Sequence, residues 1–213
     1  LTRELQDSAM SIRAQPIRSV FGRVPRIVRE CQASTGKQVT LQIDGESTEL
    51  DKTVVERIGE PLTHLIRNAI DHGLETPEER LAAGKAEAGH IRLAAEHRSG
   101  KVLISVSDDG RGINREKVLA KAVERGLVSP DARLSNEEID NLIFAPGFST
   151  ADTVSNISGR GVGMDVVRRN IESLRGRIEI QTERGRGTTF SIRLPLTLAI
   201  DRKSTRLNSS HVA

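Results

Sequence analysis

Residues 101–114, KVLISVSDDGRGIN, decide how the rest of this chain is read. The apolar stretch 102–106 has the length and β-branched content of a buried strand, and it runs into Asp108, Asp109, Gly110 and Gly112. A strand ending on carboxylates and glycines is either a plain turn or the rim of a site where backbone approaches a ligand closely. Just upstream, IRLAAEH (91–97) is separated from this strand by Arg98, Ser99 and Gly100, which reads as a tight antiparallel hairpin.

A second hairpin is expected from RIEIQTE (177–183) and TTFSIRL (188–194), joined by residues 184–187, and VTLQIDG (39–45) alternates like a further strand. Residues 53–73 read as a long helix ended by Gly73. Residues 114–125 read as an amphipathic helix with Asn114 as N-cap, and Ser135 with Glu138 forms a capping box for a short helix ending near Phe144. Residues 145–162 are rich in Gly, Ser and Thr and read as a long loop, a feature more often functional than idle in a compact domain. A helix is expected again over 163–174. Helices laid on one face of a mostly antiparallel sheet make an α+β two-layer sandwich, in the broad α/β class.

A chain of 213 residues, 36% hydrophobic, can bury one substantial core. The net charge of +3 comes from interspersed basic and acidic residues, and Phe alone supplies aromatic rings, so nucleic-acid binding is not expected. Cys31 is the single cysteine, which rules out an internal disulfide and suits a reducing cytoplasm. No apolar run reaches membrane-spanning length and no signal peptide opens the chain. The chain opens at Leu1, and residues 1–31 read as helix with a broken apolar stripe that Pro16 and Pro25 should break or bend, the expected end of something larger. The polar tail DRKSTRLNSSHVA (201–213) reads as foreign sequence without a role in the fold. The expected organisation is a helical segment at 1–32, a ligand-binding domain at 33–200 and the tail.

In the helix of 53–73, Ile58, Leu62, Leu65 and Ala69 should face the sheet, leaving His64, Asn68, Asp71 and His72 on another face. Each alone fits a solvated surface; together they line one wall. The Asn68 amide oxygen is a hard, neutral donor suited to magnesium, which takes most of its ligands from phosphates and water. A carboxylate at Asp108 can accept from the exocyclic amine of adenine, whereas guanine would oppose it with a carbonyl oxygen, which favours ATP over GTP. Gly159, Gly161 and Gly163 lead into the helix of 163–174, where amides and the positive helix end can hold phosphate. No strand precedes these glycines and no Walker lysine pattern occurs, so neither the dinucleotide fingerprint nor the P-loop applies.

The order and spacing of these segments resemble the nucleotide boxes of the GHKL ATPase superfamily, and HLIRNAIDHGLE, DDGRGI, LIFAPGFSTA, SGRGVGMDVV and GRGTTFSIRLPLTLAI resemble the catalytic domain of CheA-type chemotaxis histidine kinases over residues 36–200. That resemblance implies the Bergerat fold, ATP and Mg2+ as cofactors, Asn68 as metal ligand and Asp108 as the reader of adenine. It further implies that His64, Arg67 and His72 lie near the phosphates and that Met164 and Thr188 lie beside the base. Gly110 belongs to the same box as Asp108, Gly112, Gly161 and Gly163 let backbone approach the nucleotide, and residues 144–160 would form a lid. Residues 1–30 resemble, more loosely, the last helix of the family's dimerisation hairpin, so this chain is expected to be a monomer and its parent a dimer.

His64 stands where sensor kinases and the related hydrolases carry a glutamate, which argues against a dedicated hydrolase. An uncharged His64 could act as general base, and a purely structural His64 competes with that role. None of His64, His72, His90, His97 or His211 sits in a phosphoacceptor context, so transfer is expected in trans, to a separate phosphotransfer domain and from there to response regulators. CheW and chemoreceptors are the expected partners of the whole protein. A nucleotide-clamping switch without transfer is the alternative from another functional class, and an ATP hydrolase is the third.

Overall fold

A computed structural model describes residues 13–149 and 163–196. Strand β1 (Ala14–Pro16) leads to α1 (Arg18–Phe21), α2 (Val24–Thr35), β2 (Val39–Asp44) and β3 (Glu49–Asp51). Next come α3 (Lys52–Asn68), a π turn (Ala69–Gly73) and α4 (Pro77–Ala82). The hairpin β4 (Gly89–Arg98) and β5 (Lys101–Asp108) is followed by α5 (Arg115–Glu124), α6 (Asn136–Asn141) and a 3-10 turn (Leu142–Phe144). Helix α7 (Met164–Ser173) precedes the hairpin of β6 (Arg177–Glu183) and β7 (Gly187–Pro195).

Five strands form one sheet in the order β2-β4-β5-β7-β6, with β2 parallel to β4 and the other pairs antiparallel. The β4–β5 turn places Ser99 (φ 53°) and Gly100 (φ 73°) in the left-handed region, whose twist matches that of the flanking strands. One face of the sheet buries Ile91, Leu93, Val102, Ile104, Val106, Phe190, Ile192 and Leu194. The other carries Ser105, Ser107, Ser191 and Arg193, the division expected of a sheet covered on one side. Helices α2, α3 and α7 cover the apolar face with Val28, Ile58, Leu62, Leu65, Ile66, Val167 and Ile171.

Both capping expectations hold: the Asn114 side chain accepts from the Lys117 amide, and Ser135 and Glu138 bond each other's backbone. The long helix does not continue to residue 73 as one α-helix. It widens after Asn68, where the Leu74 amide reaches back to the Ala69 carbonyl at 2.8 Å, five residues earlier. Pro25 does not break a helix but opens α2 in its first turn, where a missing amide hydrogen has no cost. Pro16 lies in β1, which pairs with β3. From Arg13 on, the leading segment packs on α3: Ile17, Val20, Phe21, Val24, Val28 and Cys31 are buried in the same core. Gly159, Gly161, most of the expected lid and the tail 201–213 lie outside the described residues.

Candidate functional site

Asp108 is the last residue of β5 and faces Thr188 across the ladder to β7. Its Oδ1 accepts from the Gly110 amide at 2.9 Å, and the Thr188 backbone is a second partner. Burial pushes its carboxyl up to about 6, against the pull of these two bonds; the charges of Asp109 and Glu75 add to the rise. Glycines permit this burial. A Cβ on Gly73 would lie 3.1 Å from Asp108 Oδ2, one on Gly110 would lie 2.0 Å from the Gly73 carbonyl oxygen, and one on Gly187 would lie 2.0 Å from the Asp108 carbonyl oxygen. The π turn, the loop after β5 and the start of β7 thus converge on one carboxylate.

The backbone beyond Asp108 is held open by further contacts. Gly112 (φ 72°) passes so close to Glu183 that a Cβ would lie 2.4 Å from its carbonyl oxygen, and Thr182 Oγ1 accepts from the Ile113 amide at 2.9 Å. Thr182 and Thr188 share a hydroxyl bond of 3.0 Å. Asp109, adjacent in sequence, points elsewhere: its Oδ2 pairs with Arg80 at 3.0 Å and its Oδ1 accepts from the His90 amide at 2.7 Å. Arg80, 1% exposed, also binds Glu75 at 3.0 Å, and Lys85 binds Glu75 at 2.7 Å and the carbonyls of Asp109 and Gly110. This buried ionic cluster anchors the DDG loop. Nothing in the local sequence marks it, because residues 75–85 must meet the distant Asp109 and Gly110 to complete it.

On α3 the expected wall divides. Ile58, Leu62, Leu65 and Ala69 are buried as expected. Asn68 reaches α7, where its Nδ2 lies 3.0 Å from the Met164 sulfur, leaving the carbonyl end of the amide for a cation. His64 sits on the same wall, its imidazole held below the usual range by burial and by His72, with Glu60 opposing. Arg67 and Asp71 turn toward α2 instead. Arg67 pairs with Glu30 at 3.2 Å and approaches the Cys31 sulfur at 3.9 Å, while burial and the Asp71 charge push the Cys31 thiol up. Gly163 is the N-cap residue of α7 and supplies no side-chain cap, so the first amides of that helix have no side-chain acceptor from the cap position.

The α/β sandwich thus carries a desolvated carboxylate walled by glycines, an asparagine bonded across to α7 and a helix start without a side-chain cap. The family model for histidine kinase-, DNA gyrase B- and HSP90-like ATPases matches residues 53–198, and the chain belongs to that family. It is 62% identical over 200 residues to the chemotaxis protein CheA of Rhizobium meliloti, covering 94% of this chain and 26% of that protein. The CheA of Bacillus subtilis is 51% identical over 199 residues, 92% of this chain and 30% of that protein. The chain therefore spans about a quarter to a third of the length of these relatives. Two solved structures share the fold: the catalytic domain of histidine kinase ThkA (TM-score 0.51, 18% identity, 87% of this chain and 95% of that one) and Acinetobacter baumannii histidine kinase AdeS (TM-score 0.51, 18% identity, 86% and 66%). The expectations of a GHKL-type sandwich and of a CheA-type histidine-kinase ATP-binding domain are borne out. Among the described residues no helix is long and apolar enough to cross a membrane.

Proposed function

We propose that this chain binds Mg-ATP and transfers the γ-phosphate to a histidine of a phosphotransfer domain supplied in trans, as the catalytic domain of a cytoplasmic CheA-type chemotaxis kinase. The observation that carries this reading is Asp108, a half-buried, desolvated carboxylate whose hydrogen-bond partners are backbone amides. A group so desolvated is unfavourable in a merely structural role, and an adenine amine would return a hydrogen bond to it. Thr188 lines the same edge; Gly110 and Gly112 let the loop after β5 pack on the Gly73 and Glu183 backbone and so hold Asp108 in place, and Gly163 leaves the start of α7 open to phosphate.

The donor set fits magnesium bound to a nucleotide. Among the described residues no group of three or more His, Cys, Asp and Glu could cage a metal, so a cation here would depend on phosphate oxygens and water, with Asn68 as the neutral protein ligand. Bound there, it would screen the phosphate charge as the γ-phosphoryl group departs. Met164 orients Asn68 and packs at the base end of α7.

In the transfer step, a nitrogen of the substrate imidazole attacks the γ-phosphorus while the bond to the β,γ-bridging oxygen breaks and ADP leaves. The attacking ring must lose its N–H proton. Half-buried His64, its proton affinity lowered by that burial, is the acceptor, and exposed His72 lies on the same wall. Arg67, held by Glu30, braces α3 against α2 and is assigned no contact with the phosphates. Response regulators would take the phosphate onward, and CheW, chemoreceptors and a dimeric state belong to the parent protein.

The test is transfer of labelled γ-phosphate from Mg-ATP to an added CheA phosphotransfer domain, beside an Asn68→Ala control. Phosphorylation lost in the control supports the kinase. Tight ATP binding with no transfer to a cognate acceptor would leave a nucleotide switch, and steady ATP turnover without any acceptor would leave a hydrolase.

A further inference from the structure

Lys37 belongs to none of the nucleotide boxes, yet its ammonium holds part of their framework. Gly36, at φ 70°, ends α2 in a left-handed turn, and the Lys37 amide bonds Thr35 Oγ1 at 3.2 Å. From there the Lys37 side chain reaches the end of the helix that carries Asn68. Its Nζ donates to the Ile70 carbonyl at 2.8 Å and to the Asp71 carbonyl at 2.7 Å. Both carbonyls lie in the π turn, where the chain leaves the helix and no further helical turn follows to donate to them. An ammonium, with three donors and no acceptor, suits paired carbonyls.

The opposite side of the same turn is held by Arg111, whose amide donates to the Gly73 carbonyl at 2.9 Å and whose Nη2 reaches the Leu74 carbonyl at 3.3 Å. Four of the five carbonyls from Ile70 to Leu74 are thus bonded from outside the helix. The turn's position matters because Gly73 is the wall of the carboxylate pocket: its missing Cβ would stand 3.1 Å from Asp108 Oδ2, and Gly110 packs directly on its carbonyl. A shift of the turn would therefore move a wall of the Asp108 carboxylate.

We infer that Lys37 is a positioning residue for the nucleotide site: by bonding the Ile70 and Asp71 carbonyls it fixes the π turn against Asp108 and links the end of α2 to adenine recognition. Arg67 and Glu30 make a second link between the same helices. The inference rests on the ATP-binding reading above. It assigns Lys37 no contact with substrate, so its loss should weaken all adenine nucleotides alike and leave the chemical step nearly untouched.

The experiment titrates Mg-ATP and Mg-ADP into the wild-type chain, Lys37→Gln and Lys37→Arg, with the melting temperature and steady-state transfer to a phosphotransfer domain measured on each. Lys37→Gln should weaken ATP and ADP by the same factor, about tenfold, since it removes two charge-assisted bonds at a half-buried position. KM for ATP should rise in step while kcat stays within about threefold, and Lys37→Arg should restore most of the affinity. Unchanged affinity in Lys37→Gln, a fall in kcat at constant KM, or a loss confined to ATP would each overturn the inference. Should Lys37→Gln not fold, Lys37→Met, which keeps the packing of the stem, is judged by the same criteria. A wild-type chain that binds no ATP would remove the functional reading and this inference together, whereas wild-type binding with indifferent Lys37 variants removes the inference alone.

Discussion

The side-chain nitrogen of Asn68 lies 3.0 Å from the sulfur of Met164, joining the helix that would hold the cation to the first residue of α7. The thioether is an acceptor, so it selects the NH2 end of the amide and orients the carbonyl away from itself. Met164→Leu keeps the buried volume but removes the acceptor. Its melting temperature should stay within a few degrees of wild type while the magnesium needed for half-maximal ATP binding rises about threefold, the scale of one sulfur contact. An unchanged magnesium requirement would separate Met164 from Asn68.

Gly110→Ala should do more than reshape a loop. Its Cβ would stand 2.0 Å from the Gly73 carbonyl oxygen, a backbone atom that cannot swing aside as a flexible side chain would. Overpacking of this kind costs about 1 to 3 kcal/mol, so chemical denaturation should show a stability loss in that range together with loss of ATP binding. Wild-type ATP affinity in this variant would mean the loop relaxes freely.

Asp108→Asn should stabilise the nucleotide-free protein while weakening ATP. The Asp108 carboxyl titrates near 6 when folded and near 3.8 otherwise, so the folded state holds its proton longer. This contribution to stability is complete below the unfolded value and is lost as pH rises through about 6; the total is about 3 kcal/mol at most. Melting curves between pH 4 and pH 8 should therefore fall more steeply for wild type than for Asp108→Asn. Parallel curves would show that Asp108 is not desolvated as the fold implies.

His64→Ala should cut phosphotransfer far more than nucleotide affinity, since a proton acceptor acts in the transition state and not on bound ATP. Burial and His72 lower the imidazole's affinity for protons, so it remains an acceptor to lower pH than an ordinary histidine. Equal losses of binding and transfer would reduce His64 to a structural residue.

Arg80→Met tests the buried cluster behind the DDG loop. Removing the guanidinium leaves Glu75 with Lys85 and Asp109 with the His90 amide, and takes a donor from the Ala86 and Asp109 carbonyls, which costs about 1 to 3 kcal/mol. Denaturation should show that loss, and ATP affinity measured below the melting transition should fall because Asp109 no longer anchors its neighbour Asp108.

The nucleotide-facing residues were legible because each needs a chemical type at a local spacing. A strand running into Asp108 and glycine and an asparagine on an amphipathic helix can be read along the chain, as can both hairpins and both polar helix caps, since each rests on contacts a few residues long. The sequence by itself therefore determined the sandwich and the family. Tertiary structure decided the rest, through contacts between distant segments. It drew residues 13–35 into the core because their apolar stripe meets α3, widened the helix end into a π turn ending at Gly73, and paired Arg67 with Glu30. It also placed Arg80, Lys85 and Lys37 beneath the site. Their charges look like solvated surface in sequence, and only the packing of three separate segments supplies the carboxylates and carbonyls that make their burial favourable.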